Sequence, residues 1–271
     1  MTLGMCTATL LVDPFGATDA DVYAAGEAAL LAGFGEVSVW AHQVPALAGL
    51  DLHIEVVEAA MGWAGGTPAE AAAEADRFAR LAQAVGASKI AAITMDPARP
   101  DLERARQNLA LVVAAATGVG AQVCVEFLPW SGIPDLATAW ELVEPLGAGA
   151  GILLDTWHWV RQPGGPNPEL LARIPGERVG YVQLCDAALD AGDDIMAEAM
   201  GQRLLPGDGV VDFGGLLRQL EAIGAHPFFA TEVFNPEFVR DRGSVEAARE
   251  IWAERGCFAA LSMTPLKHDP S

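Results

Sequence analysis

The chain has 271 residues, of which 52% are hydrophobic, and its 36 acidic and 16 basic residues give a formal net charge of −20. This length suits one large α/β domain, so we expect residues 1–271 to form a single domain. The acidic field repels phosphate backbones and anionic lipid, which argues against nucleic acid and membrane as partners.

The sequence also indicates a compartment. It contains no apolar stretch of the roughly 18 residues that a membrane-spanning helix needs, and its N-terminus shows neither a basic segment nor a signal-peptide cleavage site. We therefore expect a cytoplasmic protein. The cysteines Cys6, Cys124, Cys185 and Cys257 form no CxxC pair. Three of them lie in or beside apolar runs, which favours reduced, buried thiols.

Strand-like and helix-like runs alternate along the whole chain. The predicted strands are Leu3–Val12, Glu36–Trp40, His53–Glu58, Lys89–Met95, Gln122–Glu126, Gly151–Asp155, Val179–Cys185 and Phe228–Val233. The predicted helices are Thr18–Ala32, Pro68–Val85, Asp101–Ala115, Asp135–Leu146, Pro168–Arg173, Asp212–Ile223 and Ser244–Ala260.

This alternation predicts a parallel sheet, and eight repeats predict an α/β fold closed into a single (β/α)8 TIM barrel. An open doubly wound sheet is the alternative, but the first strand is not followed by the GxGxxG motif of dinucleotide folds. The longest irregular stretch, 187–209, follows the seventh strand. A loop of this length on the catalytic face of a barrel indicates a lid or binding element.

Four of the apolar runs end in an oxygen-bearing side chain: Glu126, Asp155, Gln183 and Glu232. A carboxylate at the end of a buried strand is costly unless it is paired, hydrogen-bonded or bound to a metal. Because the carboxyl ends of barrel strands converge, we expect these side chains to surround one divalent cation. The alternative is that each carboxylate pairs with a separate arginine or a loop amide.

The ligand type narrows the choice of metal. Three carboxylates and one amide form an all-oxygen set, which suits Mg²⁺ or Mn²⁺ better than a closed zinc site. Such a site leaves positions open for a substrate that chelates through two oxygens, for example a hydroxy-ketone.

These residues lie in motifs that resemble those of the xylose isomerase-like TIM-barrel family. The family includes sugar epimerases, hydroxypyruvate isomerase, inosose and dehydroshikimate dehydratases, and endonuclease IV. The resemblance covers about residues 120–235. The matching motifs are Val125-Glu126-Phe127, Asp155-Thr156-Trp157-His158, Gln183-Leu184-Cys185-Asp186, Arg203 with Pro206-Gly207-Asp208-Gly209, and Thr231-Glu232-Val233.

The resemblance implies that Glu126, Asp155, Gln183 and Glu232 are the metal ligands. It also implies that Glu126 and Glu232 form the acid/base pair. Many family members carry histidine at the position of Gln183, and the amide is similar to the hydroxypyruvate isomerase branch.

The implied activity is that of an isomerase or epimerase of a small sugar or hydroxy-keto compound. The reaction would be proton abstraction next to a carbonyl, through a metal-stabilised enediolate. The alternatives are a dehydratase of the inosose or dehydroshikimate kind and a barrel that binds a metabolite without turnover. An endonuclease is disfavoured because the acidic charge opposes DNA and because the chain has only 5 histidines, too few for the several histidine ligands of the endonuclease IV branch.

Further residues are candidates for substrate contact. His158 and Arg203 are expected to bind substrate oxygens, against the alternatives of a structural hydrogen bond and a solvated loop arginine. Asp186 is expected to orient a ligand or Arg203, and His42 is expected to have a structural role. Apolar loop aromatics such as Trp130 would suit a homodimer.

Overall fold

The computed structural model of the chain describes residues 3–262, with side chains described as far as residue 253. Eight parallel strands pair in chain order, and β8 closes the barrel against β1. The predicted (β/α)8 barrel is therefore confirmed. The strands are β1 Leu3–Cys6, β2 Glu36–Trp40, β3 His53–Ala60, β4 Lys89–Ala92, β5 Gln122–Glu126, β6 Ala150–Asp155, β7 Val179–Leu184 and β8 Phe228–Thr231.

The longer helices pack against the outside of the barrel, and three short ones follow β6, β7 and β8 at its carboxyl end. The helices are α1 Asp19–Ala32, α2 Pro68–Val85, α3 Leu102–Gly118, α4 Leu136–Val143, α5 Thr156–Arg161, α6 Pro168–Leu171, α7 Ile195–Gly201, α8 Phe213–Ala222, α9 Pro236–Arg242 and α10 Ser244–Ser262. Because α5, α7 and α9 have only six or seven residues, each is too short for a helical period to be recognised in the sequence.

Four predicted strands are too long: besides the first and the fourth, the seventh ends at Leu184 rather than Cys185, and the eighth ends at Thr231 rather than Val233. The first was expected to reach Val12, but it ends at Cys6, and Thr7–Leu10 forms a 3-10 helix whose four residues are all buried. A fully buried apolar run has the same composition in either conformation, so the pattern does not separate them. Likewise β4 ends at Ala92 rather than Met95.

One cluster of mostly apolar side chains, called the interior layer below, lies inside the barrel on strands β3 to β8. They are Val56, Ala91, Cys124, Leu153, Tyr181, Phe228 and Ala230. A larger core lies between the strands and the surrounding helices. Side chains alternate between the two faces of a strand. The residue two positions beyond each member of this layer therefore also points inward, one step closer to the carboxyl ends.

The structure can be compared with the expectations about the cysteines and about membrane-spanning helices. Cys6, Cys124 and Cys185 are buried free thiols, as expected, whereas the side chain of Cys257 lies outside the described residues. Within residues 3–262, no helix combines the length and apolar character required to cross a bilayer. A cytoplasmic location, a homodimer and a single domain over residues 1–271 stay predictions.

One buried side chain connects α3 to the segment between β3 and α2. Asn108 is 1% exposed, and its Nδ2 donates to the carbonyl oxygens of Trp63 and Gly66, each at 2.9 Å. This segment follows β3 directly, so its position affects the end of that strand.

We expect Asn108→Ala to lower the free energy of unfolding by about 2 kcal/mol, because two buried carbonyl groups lose their donor. Urea denaturation measures the change. The matched control is Gln107→Ala on the exposed face of the same helix, which should stay within about 0.5 kcal/mol of the wild type. Equal stability of Asn108→Ala and the control would contradict the structural role of this amide.

Candidate active site

The four residues singled out at the strand ends lie at one end of the barrel. Each follows a member of the interior layer by two positions, so its side chain points inward above that layer. Glu126 follows Cys124, Asp155 follows Leu153, Gln183 follows Tyr181 and Glu232 follows Ala230. All four are at least nine-tenths buried.

Arg203 connects two of these carboxylates. Its Nη1 lies 2.7 Å from Asp155 Oδ2 and 3.1 Å from Glu232 Oε2, and the residue is 1% exposed. Its Nε donates to the carbonyl oxygen of Ala199 at 2.7 Å. The guanidinium therefore lies within the carboxylate layer, and one arginine is shared by two acids.

His158 accompanies a third carboxylate. Asp155 ends β6 and caps α5, since its Oδ1 accepts a hydrogen bond from His158 N at 2.9 Å. This turn places His158 Nε2 3.1 Å from Glu126 Oε1. His158 Nδ1 is buried and has no hydrogen-bond partner, so one nitrogen of the ring is available to a ligand.

The amide of Gln183 has a defined orientation. Its Nε2 donates to Glu232 Oε1 at 2.8 Å and to Glu58 Oε1 at 3.5 Å, whereas its Oε1 is buried without a partner. An unsatisfied buried acceptor is unusual. In this orientation the amide nitrogen faces two carboxyl groups, and the amide oxygen is left for another donor or a ligand.

Glu58 belongs to the same layer, although it was not among the predicted site residues. It is 4% exposed, and its Oε1 accepts a hydrogen bond from Tyr181 Oη at 2.9 Å. A signal was present, because the predicted strand His53–Glu58 also ends in an acid. The following residue, Ala59, has a φ of +70°, and the pairing of β3 with β4 shifts at this point.

Burial dominates the electrostatics of these acids. Burial first, and then the charge of Asp155, raises the pKa of Glu126 well above its usual range. Burial and Glu58 similarly raise the pKa of Glu232. Burial also disfavours the ionised form of Asp155, but the closer contact with Arg203 outweighs it and lowers the pKa of Asp155. Asp155 is thus the ionised partner of the guanidinium.

The imidazole of His158 responds to the same environment. Burial lowers the pKa of His158 to about 3, although Asp155 opposes the shift. The ring is therefore neutral at physiological pH, and it supplies a hydrogen bond to Glu126 rather than a compensating charge.

The donor set fits a divalent cation. The acidic side chains form two groups in which the ligand atoms lie within 4.8 Å of one another, namely Glu126 with Asp155 and His158, and Glu232 with Glu58 and Cys6. Four buried carboxyl groups face one guanidinium, so ionising all of them would require a further cation. The free Gln183 Oε1 is an additional hard oxygen donor.

The layer forms the floor of a cavity of about 220 Å³. Glu58, Glu126, His158, Arg203 and Glu232 line it, whereas the walls are largely apolar. The wall residues include Trp40, Ile93, Met95, Leu128, Met200 and Phe234. This combination of an apolar cavity with a few convergent polar groups is typical of small-molecule sites.

Asp186 organises the loop that carries Arg203. Its carboxylate accepts hydrogen bonds from the backbone nitrogens of Ala187, Gly207, Gly209 and Val211 at 2.8–3.0 Å. Its backbone also pairs with that of Leu204. Asp186 therefore acts on Arg203 through the loop backbone and makes no side-chain contact with the guanidinium among the described hydrogen bonds.

Comparison with protein families gives a match over nearly the whole chain. A family model described as xylose isomerase-like TIM barrel matches residues 16–255. A curated 3-dehydroshikimate dehydratase from Pseudomonas aeruginosa is 33% identical over 121 residues, which are 44% of this chain and 19% of that relative. The match thus spans about a fifth of the relative's length.

Solved structures share the fold. The IOLI protein, whose crystal structure contains a bound zinc atom, superposes with a TM-score of 0.78 at 17% identity, covering 97% of this chain and 100% of that one. The D-allulose 3-epimerase from Methylomonas sp., in complex with D-allulose, gives 0.70 at 16% identity, covering 95% and 96%. At these identities the similarity establishes the barrel fold.

We expect Asp186→Asn to destabilise the protein by about 3 kcal/mol, because the amide directs donors at backbone groups that need acceptors. Chemical denaturation measures the loss, and limited proteolysis should show earlier cleavage between residues 187 and 211. Asp208→Asn, an exposed change in the same loop, is the matched control. An unchanged cleavage rate in Asp186→Asn would contradict the role of this carboxylate in ordering the loop.

Proposed function

Since the chain belongs to the xylose isomerase-like TIM-barrel family, we propose that it is a divalent-metal-dependent isomerase or epimerase of a small sugar or hydroxy-keto compound. One observation carries the proposal. Glu126 at the end of β5 and Glu232 after β8 face the same cavity from different strands. Two acids in this arrangement can act on different positions or faces of one small substrate.

We propose Glu126, Asp155, Gln183 and Glu232 as the metal ligands. The unpartnered Gln183 Oε1 supports this set. Glu126 and Asp155 belong to one group of close ligand atoms and Glu232 to the other, so holding one cation with all four side chains would draw on both groups. When bound, a divalent cation would supply Lewis-acid polarisation of the substrate carbonyl. The oxygen donors favour Mn²⁺ or Mg²⁺.

Two glutamates are proposed to carry out the proton transfers. One of the two glutamates, Glu126 or Glu232, takes the carbon-bound proton next to the carbonyl, and one returns a proton. Return to the neighbouring carbon gives isomerisation, and return to the opposite face gives epimerisation. His158 holds Glu126 in place from 3.1 Å, and its free Nδ1 faces away from that contact. Arg203 fixes Glu232 relative to Asp155.

Substrate contacts are proposed for His158 and Arg203, which both line the cavity. The Nδ1 atom of His158 has no hydrogen-bond partner and could bind a substrate oxygen. The guanidinium of Arg203 has bonds to two carboxylates and a carbonyl, so it would contact the reacting end of a substrate rather than a distant group.

A dehydratase is the second candidate, favoured by the partial similarity to 3-dehydroshikimate dehydratase. In that reaction the same proton abstraction is followed by departure of a β-hydroxyl group, to which an acid donates a proton. Product analysis separates the candidates, because isomers and epimers keep the mass of the substrate and a dehydrated product lacks one water.

We expect Glu126→Gln to reduce the exchange of a substrate C–H with deuterated solvent by about 10²- to 10⁴-fold. The amide keeps the size of the side chain but does not accept the proton. NMR of the ketose after incubation with the Mn²⁺-loaded protein measures exchange. Glu55→Gln is the control, since Glu55 lies near the start of β3 in an ion pair with Lys89, at the opposite end of the barrel.

Retained exchange in Glu126→Gln would remove this residue from the acid/base role. If the wild type binds ketoses but catalyses no exchange, the protein binds a metabolite without turning it over.

Metal removal tests the proposed cofactor directly. We expect the purified protein to contain about one divalent metal ion per chain by elemental analysis, and chelation by EDTA to abolish exchange until Mn²⁺ or Mg²⁺ is restored. Full exchange activity in the chelated, metal-free protein would contradict metal dependence.

A further inference from the structure

Resting on the proposed function, we infer that the substrate is uncharged at the end that lies away from the carboxylates and presents an apolar face there. This describes an unphosphorylated ketose or a cyclic hydroxy-ketone without a distal carboxylate. A sugar phosphate and an acid such as the substrate class of the partial dehydratase relative would be rejected.

The cavity wall provides the first observation. Above the carboxylate floor it is built from Trp40, Ile93, Met95, Leu128 and Phe234. These side chains offer dispersion contacts, and the one polar hydrogen among them is the indole N–H of Trp40. A phosphate or carboxylate held against them would lose part of its hydration without gaining a compensating cation, which is unfavourable.

The positions of the cations provide the second observation. Within residues 3–253, Arg203 is the single lysine or arginine that lines the cavity, and its guanidinium is bonded to Asp155 and Glu232 on the floor. Arg161 is paired with Glu198 at 2.7 Å. Lys89 pairs with Glu55 at the other end of the barrel.

The histidines do not replace these cations. His158 is buried, and its Nε2 already contacts Glu126 Oε1 at 3.1 Å on the floor. His42 lies at the exposed rim, packed against the ring of Trp40 at a centroid distance of 5.9 Å. An exposed rim group is well hydrated and screened, so it contributes little to holding an anion.

The net charge of the whole chain also disfavours an anionic substrate. A net charge of −20 gives a potential that repels an incoming dianion. A neutral substrate feels this field only weakly, and its apolar face gains from contact with the methionine and aromatic wall.

A series of three ketoses tests the inference with the Mn²⁺-loaded protein. The probes are one ketohexose, its 6-deoxy analogue and its 6-phosphate. Quenching of tryptophan fluorescence reports binding, because Trp40 and Trp130 line the cavity. We expect the ketohexose and its 6-deoxy analogue to bind at least about tenfold more tightly than the phosphate at constant ionic strength.

A pair of variants shows whether the wall is responsible. Ile93→Lys places a cation on the half-buried part of the wall, and we expect it to strengthen phosphate binding about tenfold while weakening binding of the 6-deoxy analogue. Leu111→Lys makes the same charge change on α3, outside the cavity, and should keep the wild-type order of affinities. His42→Gln should also keep that order.

The outcomes are distinguishable. Equal or tighter binding of the phosphate by the wild type, or failure of both neutral ketoses to bind, would overturn the inference. Neutral ketoses that bind in the expected order but never exchange a C–H with solvent would refute the proposed function and leave the binding preference in place.

Discussion

The contact on which the site depends is the one between the Arg203 guanidinium and the carboxylates of Asp155 and Glu232. It connects the loop after β7 to the ends of β6 and β8, so three separate segments meet at one cation. A buried carboxylate without a partner is expensive. One guanidinium satisfies only part of the layer, because Glu58 and Glu126 are also buried there. A cation bound at this floor would let Glu58 and Glu126 ionise, which their burial otherwise disfavours.

Much of the polar layer could be predicted from the sequence because the period of a strand is two. Once an apolar strand run is recognised, its last inward position is determined, and an acid or amide there stands out against the preceding hydrophobic residues. Glu126, Asp155 and Gln183 were found in this way. The bounds of β2, β5 and α2 were also predicted to the residue, because clear breaks in composition or a capping residue such as Thr67 mark them.

Other features depend on contacts between residues distant in sequence, which local patterns do not encode. Glu58 is an exception, because the predicted strand His53–Glu58 ends in an acid and carried the same local signal; only its contacts with Tyr181 and Gln183 place it in the layer. The sequence also did not show that Arg203 would be buried. Its position follows from the way that Asp186 gathers the backbone of the following loop, through nitrogens up to 25 residues away.

The apolar wall and the polar floor of the cavity both depend on the exclusion of water. Excluding water from the cavity strengthens each electrostatic contact at the floor, since charges interact more strongly where the effective dielectric constant is low. The same exclusion makes a charged substrate tail costly. A wall that admitted an anion would need a hydrated cation, and the water accompanying it would weaken the contacts that orient Glu126 and Glu232. The proposed selectivity for an uncharged substrate and the proposed acid/base pair would therefore both depend on the same burial.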